Sequence, residues 1–381
     1  MNVIIMVSEG YPKKFSANNS KGEFIAKGLK EAGCKVSMLD GIFGTQGYTH
    51  KETGISKSGI EYCILPRIGK YSAFFRLLPM IWQYLKEHKQ KDDKNHLLMG
   101  LFPYPFYFII VTMATILGYS RSTLFHEWHP SIKGQGKIKR AIAYIQDYTF
   151  GYFQNIIFPI GHYLQEKSKK FHKPMMLVPV LASYTRQPTI NIEKNHFTYC
   201  GHANYLLRNT LVLDGFKKLI TENPTIKASL CLILVGNKKN FFDINRKLQD
   251  YEFGDRVYIK SQLPQDELYS IYDSSIGLLI PLDPSNLQDT ARFSQKIAEY
   301  VASKRPIITS NTGEIPYYFK NGESAIIVSF SADGYCEGMK TLCVNPKLAD
   351  AVGEGGYQVG ISYFDYKIVG RKLKDVIKRN C

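Results

Sequence analysis

Short apolar runs alternate with helical segments along almost the whole chain, and this alternation limits the fold more than any other feature. Parallel strands that are covered by helices on both faces have such near-continuous apolar sequences. The first series of strand candidates is VIIMV (3–7), CKVSML (34–39), EYCIL (61–65), HLLMGL (96–101), STLFHE (122–127), NIIFPI (155–160) and MMLVPV (175–180). The alternation predicts a doubly wound parallel sheet.

A second series follows a polar segment at about 182–194, which we interpret as a linker. Its strand candidates are HFTYC (196–200), SLCLILVG (229–236), DRVYIK (255–260), IGLLIPL (276–282), RPIIT (305–309) and AIIVSF (325–330). The chain is therefore predicted to be an α/β protein with two Rossmann-like domains, 1–185 and 186–360, facing each other across a cleft. Ligands of such sheets bind outside the carboxyl ends of the strands.

Composition favours an ordinary globular protein of a reducing compartment. Of the 381 residues, 44% are hydrophobic and 22% are charged. The 7 cysteines are scattered without a CxxC pair, which is typical of a reduced cytosol. The opening MNVIIMVS has neither a basic region nor a cleavage site, so no signal peptide is expected and the predicted location is cytoplasmic.

The stretch from Leu97 to Gly118 is long enough to cross a membrane. Pro103 and Pro105 lie near its start, however, and the preceding HLLMGL resembles the end of a strand. A buried strand, a loop and a core helix explain the stretch better than a transmembrane helix does.

The formal net charge of +16 indicates an anionic partner. The basic residues form clusters at Lys13–Lys14, Lys86 to Lys94, Lys137 to Arg140 and Lys167 to Lys173. Any one cluster can be a solvated helix face, and no nucleic-acid-binding motif accompanies them. An anionic membrane surface is a partner that fits the total, since each nearby basic residue adds about 1 kcal/mol. We expect peripheral attachment to the inner face of a membrane and no nucleic acid.

The segment SQKIAEYVASKRPIIT (294–309) carries the first functional signal. Helical spacing predicts that Lys296, Glu299 and Tyr300 share one face. The first-turn amides favour an anion, and Glu299, one turn behind, can accept hydrogen bonds from sugar hydroxyls. Alternatively, Lys296 and Glu299 simply pair on a solvated face.

The stretch YCGHANYLLRNTLVLDGFKKL (199–219) adds a strand that ends at Gly201 and a cation, Arg208, at the start of the next helix. Together with the preceding segment it resembles the retaining GT-B glycosyltransferases of family 4, glycosyltransferase group 1. This resemblance implies a GT-B fold and a last helix, 361–381, that packs back on the N-terminal domain.

The resemblance also implies a donor site for a nucleotide-diphosphate sugar. Arg208 would act on the diphosphate as a catalytic residue, and Glu299 would hold the ribose. The implied donor-binding residues are Gly201, His202, Arg208, Phe293, Ser294, Gln295, Lys296 and Glu299. The first glutamate of the family's motif is replaced by Ala291, with Asp289 two residues away, and His202 stands where the family has an arginine.

In the N-terminal half, the resemblance assigns His126 of LFHEWHP to the transferred sugar as a second catalytic residue. The family's paired glycines fall near Ser16 and Ala17, in a loop with Lys13 and Asn18 that would lie on the acceptor side. No cofactor and no metal are expected.

The predicted function is retaining transfer of a sugar from the nucleotide sugar to a hydroxyl of a glycan or lipid-linked glycan, in bacterial surface polysaccharide synthesis. Two alternatives remain open. One is a nucleotide-sugar epimerase of the same fold, and the other is a non-catalytic subunit that binds nucleotide sugar or a partner enzyme, which the change at Ala291 favours.

Overall fold

A computed structural model describes residues 1–8, 10–13, 16–41, 49–66, 72–131, 136–189 and 192–381. Lys14, part of the first basic cluster, lies outside the described residues. The chain divides into an N-terminal unit, Met1–Leu181 with Ala291–Gln295 and Phe364–Cys381, and a C-terminal unit, Ala182–Thr290 with Lys296–Tyr363. Domain boundaries after residues 185 and 360 remain predictions.

The N-terminal unit is built on a sheet of 7 described strands in the order β3-β4-β2-β1-β5-β6-β7. The strands are β1 (Asn2–Val7), β2 (Lys35–Asp40), β3 (Glu52–Ile55), β4 (Glu61–Ile64), β5 (Asn95–Gly100), β6 (Ser120–Phe125) and β7 (Ile156–Pro159). Its helices are α1 (Ala17–Glu31), α2 (Ser72–His88), α3 (Phe106–Ile116), α4 (Lys137–Thr149), α5 (His162–Ser168) and, from the end of the chain, α14 (Tyr366–Arg379). The strand order reverses between β1 and β5.

The C-terminal unit has a sheet of 6 parallel strands in the order β10-β9-β8-β11-β12-β13. The strands are β8 (His196–His202), β9 (Ser229–Val235), β10 (Val257–Lys260), β11 (Ser275–Ile280), β12 (Ile307–Ser310) and β13 (Ile326–Val328). The helices are α6 (Leu206–Glu222), α7 (Lys238–Asp250), α8 (Gln265–Asp273), α9 (Leu287–Ala291), α10 (Gln295–Val301), α11 (Ile315–Tyr318), α12 (Ala332–Val344) and α13 (Pro346–Tyr363). The order reverses between β8 and β11.

These two sheets confirm the predicted pair of doubly wound α/β domains, with three local corrections. The short edge strand β3 runs antiparallel to β4 and was not predicted, because ETGI is polar and largely exposed. The predicted strand 175–180 forms only one bridge, between Met175 and Ile157. Pro174, directly before this segment, and Pro179 within it lack the amide that a strand ladder needs.

The third correction concerns the segment predicted as a linker at 182–194, which packs within the C-terminal unit. The Tyr184 hydroxyl donates to the Ala298 carbonyl at 3.1 Å, and Arg186 forms an ion pair with Asp273 at 2.6 Å. These contacts attach the described part of this segment to the second sheet and its helices.

The apolar stretch 97–118 has the predicted arrangement of a buried strand, a loop and a core helix, which are β5 and α3. Tyr107, Ile110 and Ala114 of α3 are fully buried. Within the described residues, no helix is both long and apolar enough to cross a membrane.

Helix α14 packs against α1 in the N-terminal unit, and two glycines permit their close approach. A Cβ atom on Gly370 would lie 2.3 Å from the carbonyl carbon of Gly28, and a Cβ on Gly28 would lie 2.3 Å from the Tyr366 carbonyl oxygen. Tyr366 also donates a hydrogen bond of 2.6 Å to Glu31. The end of the chain is thereby part of the N-terminal unit.

Candidate active site

The reversal point of the C-terminal sheet brings the cation of α6 beside the segment that follows β11. The Arg208 Nη2 atom donates to both carboxylate oxygens of Asp289, each at 2.6 Å. The Asp289 side chain is fully buried, and the Arg208 side chain is only 11% exposed. Ligands of open α/β sheets bind at such a point.

Asp289 is therefore the partner of Arg208. Asp289 also accepts a hydrogen bond of 2.9 Å from the Asp283 amide, which fixes the carboxylate in the loop after β11. The hydrogen bonds of Arg208 to described residues all come from Nη2. The carboxylate orients the guanidinium through Nη2, and the N–H groups of Nε and Nη1 are not used in this contact.

Gly201 lies near the carboxyl end of β8, next to the ring of Tyr199. A Cβ atom at Gly201 would lie 2.4 Å from the Tyr199 hydroxyl, so the close packing of this ring requires glycine. His202 follows, and its Nδ1 accepts a hydrogen bond of 3.2 Å from the Asn204 amide. Nε2 is then the nitrogen of His202 that can donate to a ligand.

The Asn209 side chain fixes the turn between β8 and α6. It donates to the carbonyls of His202 and Ala203 at 3.2 and 3.1 Å. No local sequence pattern indicates this contact. The first turn of α6, which bears Arg208, is anchored by it.

Helix α10 buries Ile297, Ala298 and Val301, and Tyr300 is buried as well. Its side chain is fully buried, and its hydroxyl accepts a hydrogen bond of 3.0 Å from the Cys200 amide at the end of β8. Tyr300 is more deeply buried than Lys296 and Glu299, and its hydroxyl contacts Cys200, the residue that those two side chains also approach.

Lys296 and Glu299 are half-buried, and both act electrostatically on Cys200. Burial raises the pKa of the Cys200 thiol, the positive charge of Lys296 opposes that rise, and the negative charge of Glu299 adds to it. Both side chains thus lie near the carboxyl end of β8, immediately before Gly201. The C-terminal unit therefore brings Arg208, Gly201 and these two side chains to one edge of its sheet.

The three residues before Lys296 belong to the N-terminal unit. Phe293 is buried, with its ring centroid 5.5 Å from that of Phe364. The Gln295 side chain forms hydrogen bonds with the backbone of Leu181. Ser294 is half-buried. Two of these predicted donor contacts, Phe293 and Gln295, are thus engaged in packing or hydrogen bonds within their own unit.

Neither Ala291 nor the nearby Asp289 offers a free carboxylate in place of the family's first glutamate. Ala291 is buried, and a glutamate would not be accommodated there without rearrangement. Asp289 is already committed to Arg208 and to the Asp283 amide.

The N-terminal unit has a cavity of about 150 Å³ at the reversal point of its own sheet. It is lined by residues at the carboxyl ends of three strands and on α1, including Ser8, Asn18, Gly100, His126 and His129. His126 therefore follows the end of β6, as predicted, and lines a cavity of this unit.

Electrostatics keep His126 neutral. Burial lowers its pKa well below the usual value, and the positive charges of Lys21 and His129 lower it further. No hydrogen-bond partner for the buried Nε2 is found among the described residues. A ligand hydroxyl is one group that would satisfy this nitrogen.

Lys21 is a buried lysine of α1. Its Nζ donates to the Val178 carbonyl at 3.0 Å, and burial lowers its pKa to about 7. The charge of Lys21 contributes to keeping the nearby imidazole of His126 neutral.

His129 and Asp147 form a second polar pair at this cavity, which sequence reasoning missed. Asp147 accepts from the His129 amide at 2.8 Å and lies 3.0 Å from His129 Nδ1. Burial opposes protonation of His129, but the hydrogen bond and charge of Asp147 outweigh it and raise the pKa. Asp147 is fully buried on α4, so this helix orients His129.

Among the four residues predicted for an acceptor-side loop, Asn18 lines the cavity. Ala17 and Asn18 form the first turn of α1, and Ser16 is its N-cap, accepting from the Asn19 amide at 3.1 Å. Lys13 is exposed and pairs with Glu52 at 2.7 Å. Ala17 and Asn18 were predicted to lie in a loop, but they belong to α1.

A larger cavity, about 510 Å³, lies at the opposite edge of the second sheet, near the amino ends of β8, β9, β11 and β12. Its lining includes Lys194, Ile276, Leu342 and Asp350. Since it is remote from the carboxyl ends of the strands, we assign no donor to it. The described residues include no group of three or more His, Cys, Asp or Glu side chains that could hold a metal.

Comparison with known proteins identifies the C-terminal part of the chain. The family model described as glycosyl transferases group 1 matches residues 183–359. The match covers most of the C-terminal unit, including the segment that leads into its first strand. The prediction that the protein is a glycosyltransferase is confirmed. A search of curated proteins gives no match.

Solved structures show that this glycosyltransferase has the GT-B fold. Sucrose-phosphate synthase from Thermosynechococcus elongatus is 13% identical, with a TM-score of 0.72 over 99% of this chain and 98% of that one. The Anabaena protein HepE in complex with UDP-glucose is 9% identical, with a TM-score of 0.75 over 100% of both chains. A glycosyltransferase from Rickettsia africae is 12% identical, with a TM-score of 0.72 over 99% and 98%. At these identities the likeness concerns the fold alone.

Proposed function

We propose that this glycosyltransferase moves a sugar from a nucleotide-diphosphate sugar to a hydroxyl of a glycan or lipid-linked glycan, with retention of the anomeric configuration. Its biological role would be in bacterial surface polysaccharide synthesis at the inner face of a membrane. The observation that carries the proposal is the position of Arg208, held by Asp289 at the reversal point of the C-terminal sheet.

Arg208 would stabilise the diphosphate leaving group. Negative charge builds up on the diphosphate as the bond to the sugar breaks, and a fixed cation lowers the energy of that state. Because Asp289 engages only Nη2, Nε and Nη1 can bind phosphate oxygens. The negative charge of Asp289 partly offsets the positive charge of Arg208. In return, the arginine side chain is already ordered before the reaction begins.

Gly201 and the half-buried Lys296 and Glu299 would complete the donor site. Lys296 supplies a second cation near the carboxyl end of β8, and Glu299 offers a carboxylate for ribose hydroxyls. His202 would donate from Nε2 to a phosphate oxygen, as a weaker substitute for arginine. Phe293, Ser294 and Gln295 would contribute through their backbone.

His126 would orient the transferred sugar. Its imidazole is kept neutral by burial and neighbouring positive charge, so it can hydrogen-bond a sugar hydroxyl without changing charge near pH 7. Asn18 lines the same cavity and would contact the acceptor, as would the neighbouring loop residues Lys13, Ser16 and Ala17. Reaction would need no metal or other cofactor.

Incubation with a panel of nucleotide sugars and candidate acceptors tests the proposal. Release of nucleoside diphosphate together with a new glycoside of unchanged anomeric configuration, read by proton NMR, would support it. Isomerised nucleotide sugar without acceptor would instead favour an epimerase. Tight donor binding without turnover by the wild type, across all acceptors, would favour the non-catalytic subunit. The buried Ala291, which replaces the first glutamate of the family's motif, is the observation that favours this alternative.

A further inference from the structure

Helix α4 presents isoleucines to solvent in a way that its own unit does not explain. Ile138, Ile142 and Ile145 are 78%, 40% and 56% exposed. Their spacing of four and three residues places them on one stripe of the helix. Isolated exposed apolar side chains are common, but a helical stripe of isoleucines is typical of an interaction surface.

Positive charge accompanies this stripe. Lys137, Lys139 and Arg140 occupy the first turn of α4, are exposed, and have no acidic residue with them there. Cations at a helix N-terminus are unfavourable, because they lie at the positive end of the helix dipole. The stability of α4 therefore does not account for these three residues, whereas an external anion would.

Two side chains near the C-terminal end of α4 attach it to other described parts of the unit. Gln146 donates to the Phe102 carbonyl at 2.6 Å, and Asp147 binds His129. These two are the buried residues of α4. The cations of the first turn and the three isoleucines are all exposed.

A second basic cluster adjoins the anchored end. Lys170 Nζ lies 3.6 Å from the ring centroid of Tyr148 on α4, and Lys167 Nζ lies 5.5 Å from that of Trp128. Three acidic residues lie in this region: Asp147 binds His129, Glu166 binds Lys169 at 2.5 Å, and Glu127 lies near His129. The Lys170 ammonium is buried, whereas the partly exposed Lys167 adds positive charge near Trp128, whose ring contacts Tyr148 of α4.

We propose that the α4 surface, defined as Lys137, Ile138, Lys139, Arg140, Ile142 and Ile145, docks on an anionic lipid bilayer. The isoleucines would enter the boundary between headgroups and acyl chains, and the cations would bind lipid phosphates, as amphipathic basic helices do. A second copy of the chain is a poorer occupant, because it would bring two positively charged surfaces together.

Docking through α4 has a consequence for the acceptor. Asp147 of this helix holds His129, which lines the same cavity as His126. A lipid-linked acceptor in the bilayer would therefore be held next to the acceptor-side cavity. This inference deepens the proposed membrane location but does not depend on sugar transfer, since bilayer binding needs neither donor nor acceptor.

Co-sedimentation with vesicles tests the proposal. The full-length protein is mixed with phosphatidylcholine vesicles, with and without phosphatidylglycerol, and bound protein is measured over a lipid titration. Two variants remove the surface: Ile142→Ser with Ile145→Ser, and Lys137→Gln with Lys139→Gln and Arg140→Gln. The charge-matched control is Lys86→Gln with Lys89→Gln and Lys91→Gln, and the apolar control is Ile55→Ser, at a side chain that is 71% exposed.

We expect binding only to vesicles with phosphatidylglycerol, and partitioning at least about tenfold weaker in both α4 variants. The two controls should bind within about twofold of the wild type. Unchanged thermal unfolding midpoints would show that the variants are folded. The proposal is overturned if the wild type does not bind, if the α4 and control charge variants weaken equally, or if the isoleucine variant binds normally. It is also overturned if sedimentation velocity shows that this variant converts a dimer to a monomer.

Discussion

The Nη2 atom of Arg208 lies 2.6 Å from both carboxylate oxygens of Asp289, across the point where the C-terminal sheet reverses its strand order. The pair is almost completely removed from solvent. A buried ion pair contributes little net stability, but loss of one partner leaves the other charge uncompensated. Its placement at a binding edge suits a cation that must be held in one orientation.

The first prediction concerns the stability of this pair. Asp289→Ala should lower the free energy of unfolding by about 3 kcal/mol, because it leaves Arg208 and the Asp283 amide without their acceptor. Arg208→Ala should also destabilise, and the double variant should lose clearly less than the sum. Urea denaturation of the four proteins measures the coupling. Strict additivity would mean that the two side chains do not stabilise each other.

A second prediction follows from the neutral state of His126. His126→Asn should lower kcat/KM by about tenfold, through loss of a hydrogen bond to the sugar. Because burial is the main cause that keeps the pKa of His126 well below its usual value, the imidazole stays neutral and this ratio should show no titration with the usual histidine midpoint. A ratio that changes with a midpoint near pH 6.5 would show that His126 ionises during turnover.

A third prediction concerns His96, which is buried in β5 between the hydroxyls of Ser120 and Ser122, at 2.6 and 2.7 Å. Burial, assisted by the charge of Arg121, lowers the pKa of His96 to about 3. The unfolded chain then binds this proton more tightly than the folded one. The contribution of His96 to stability is complete above its unfolded pKa and is lost progressively as the pH falls towards 3.

Between pH 7.5 and 5.5 this single group should cost about 1.4 kcal/mol of unfolding free energy. His96→Gln should remove that part of the pH dependence, whatever its effect on stability at pH 7.5. Denaturation curves of wild type and variant at both pH values give the difference. An unchanged pH dependence in the variant would mean that His96 titrates alike in the folded and unfolded states.

A fourth prediction concerns the contact of α1 with α14. Gly370→Ala should destabilise the protein by about 1–3 kcal/mol, since the new Cβ would lie 2.3 Å from the Gly28 backbone. Arg371→Ala, at the adjacent exposed position, is the control and should change stability by less than about 0.5 kcal/mol. Thermal denaturation measures both. Equal stability of Gly370→Ala and wild type would contradict the close packing of these helices.

The sequence predicted the sheet strands because buried parallel strands are written as apolar runs. It failed at β3, whose sequence is polar, and at 175–180, where prolines interrupt an apolar run. Ser16, as an N-cap, was a local signal that α1 begins at Ala17, but the small and polar residues around it favoured a loop.

Side-chain partners were harder to predict than strands. Arg208 could be singled out because a cation at the start of a helix follows a strand that ends in glycine. Its partner Asp289, 81 residues later, and the bond between the Tyr300 hydroxyl and the Cys200 amide depend on tertiary packing that no local pattern contains. Helical periodicity grouped Tyr300 with Lys296 and Glu299, but it could not show that Tyr300 is fully buried.

The most direct test of the account is calorimetric binding of nucleoside diphosphates, and of the corresponding nucleosides, to the wild type and to Arg208→Gln. The matched control is Arg292→Gln, at a half-buried arginine that follows Asp289 by three residues. We predict that the wild type binds one diphosphate, that Arg208→Gln weakens it about tenfold or more while nucleoside binding is unchanged, and that the control binds normally. Equal diphosphate affinity in Arg208→Gln and wild type would contradict the assignment of Arg208 to the leaving group.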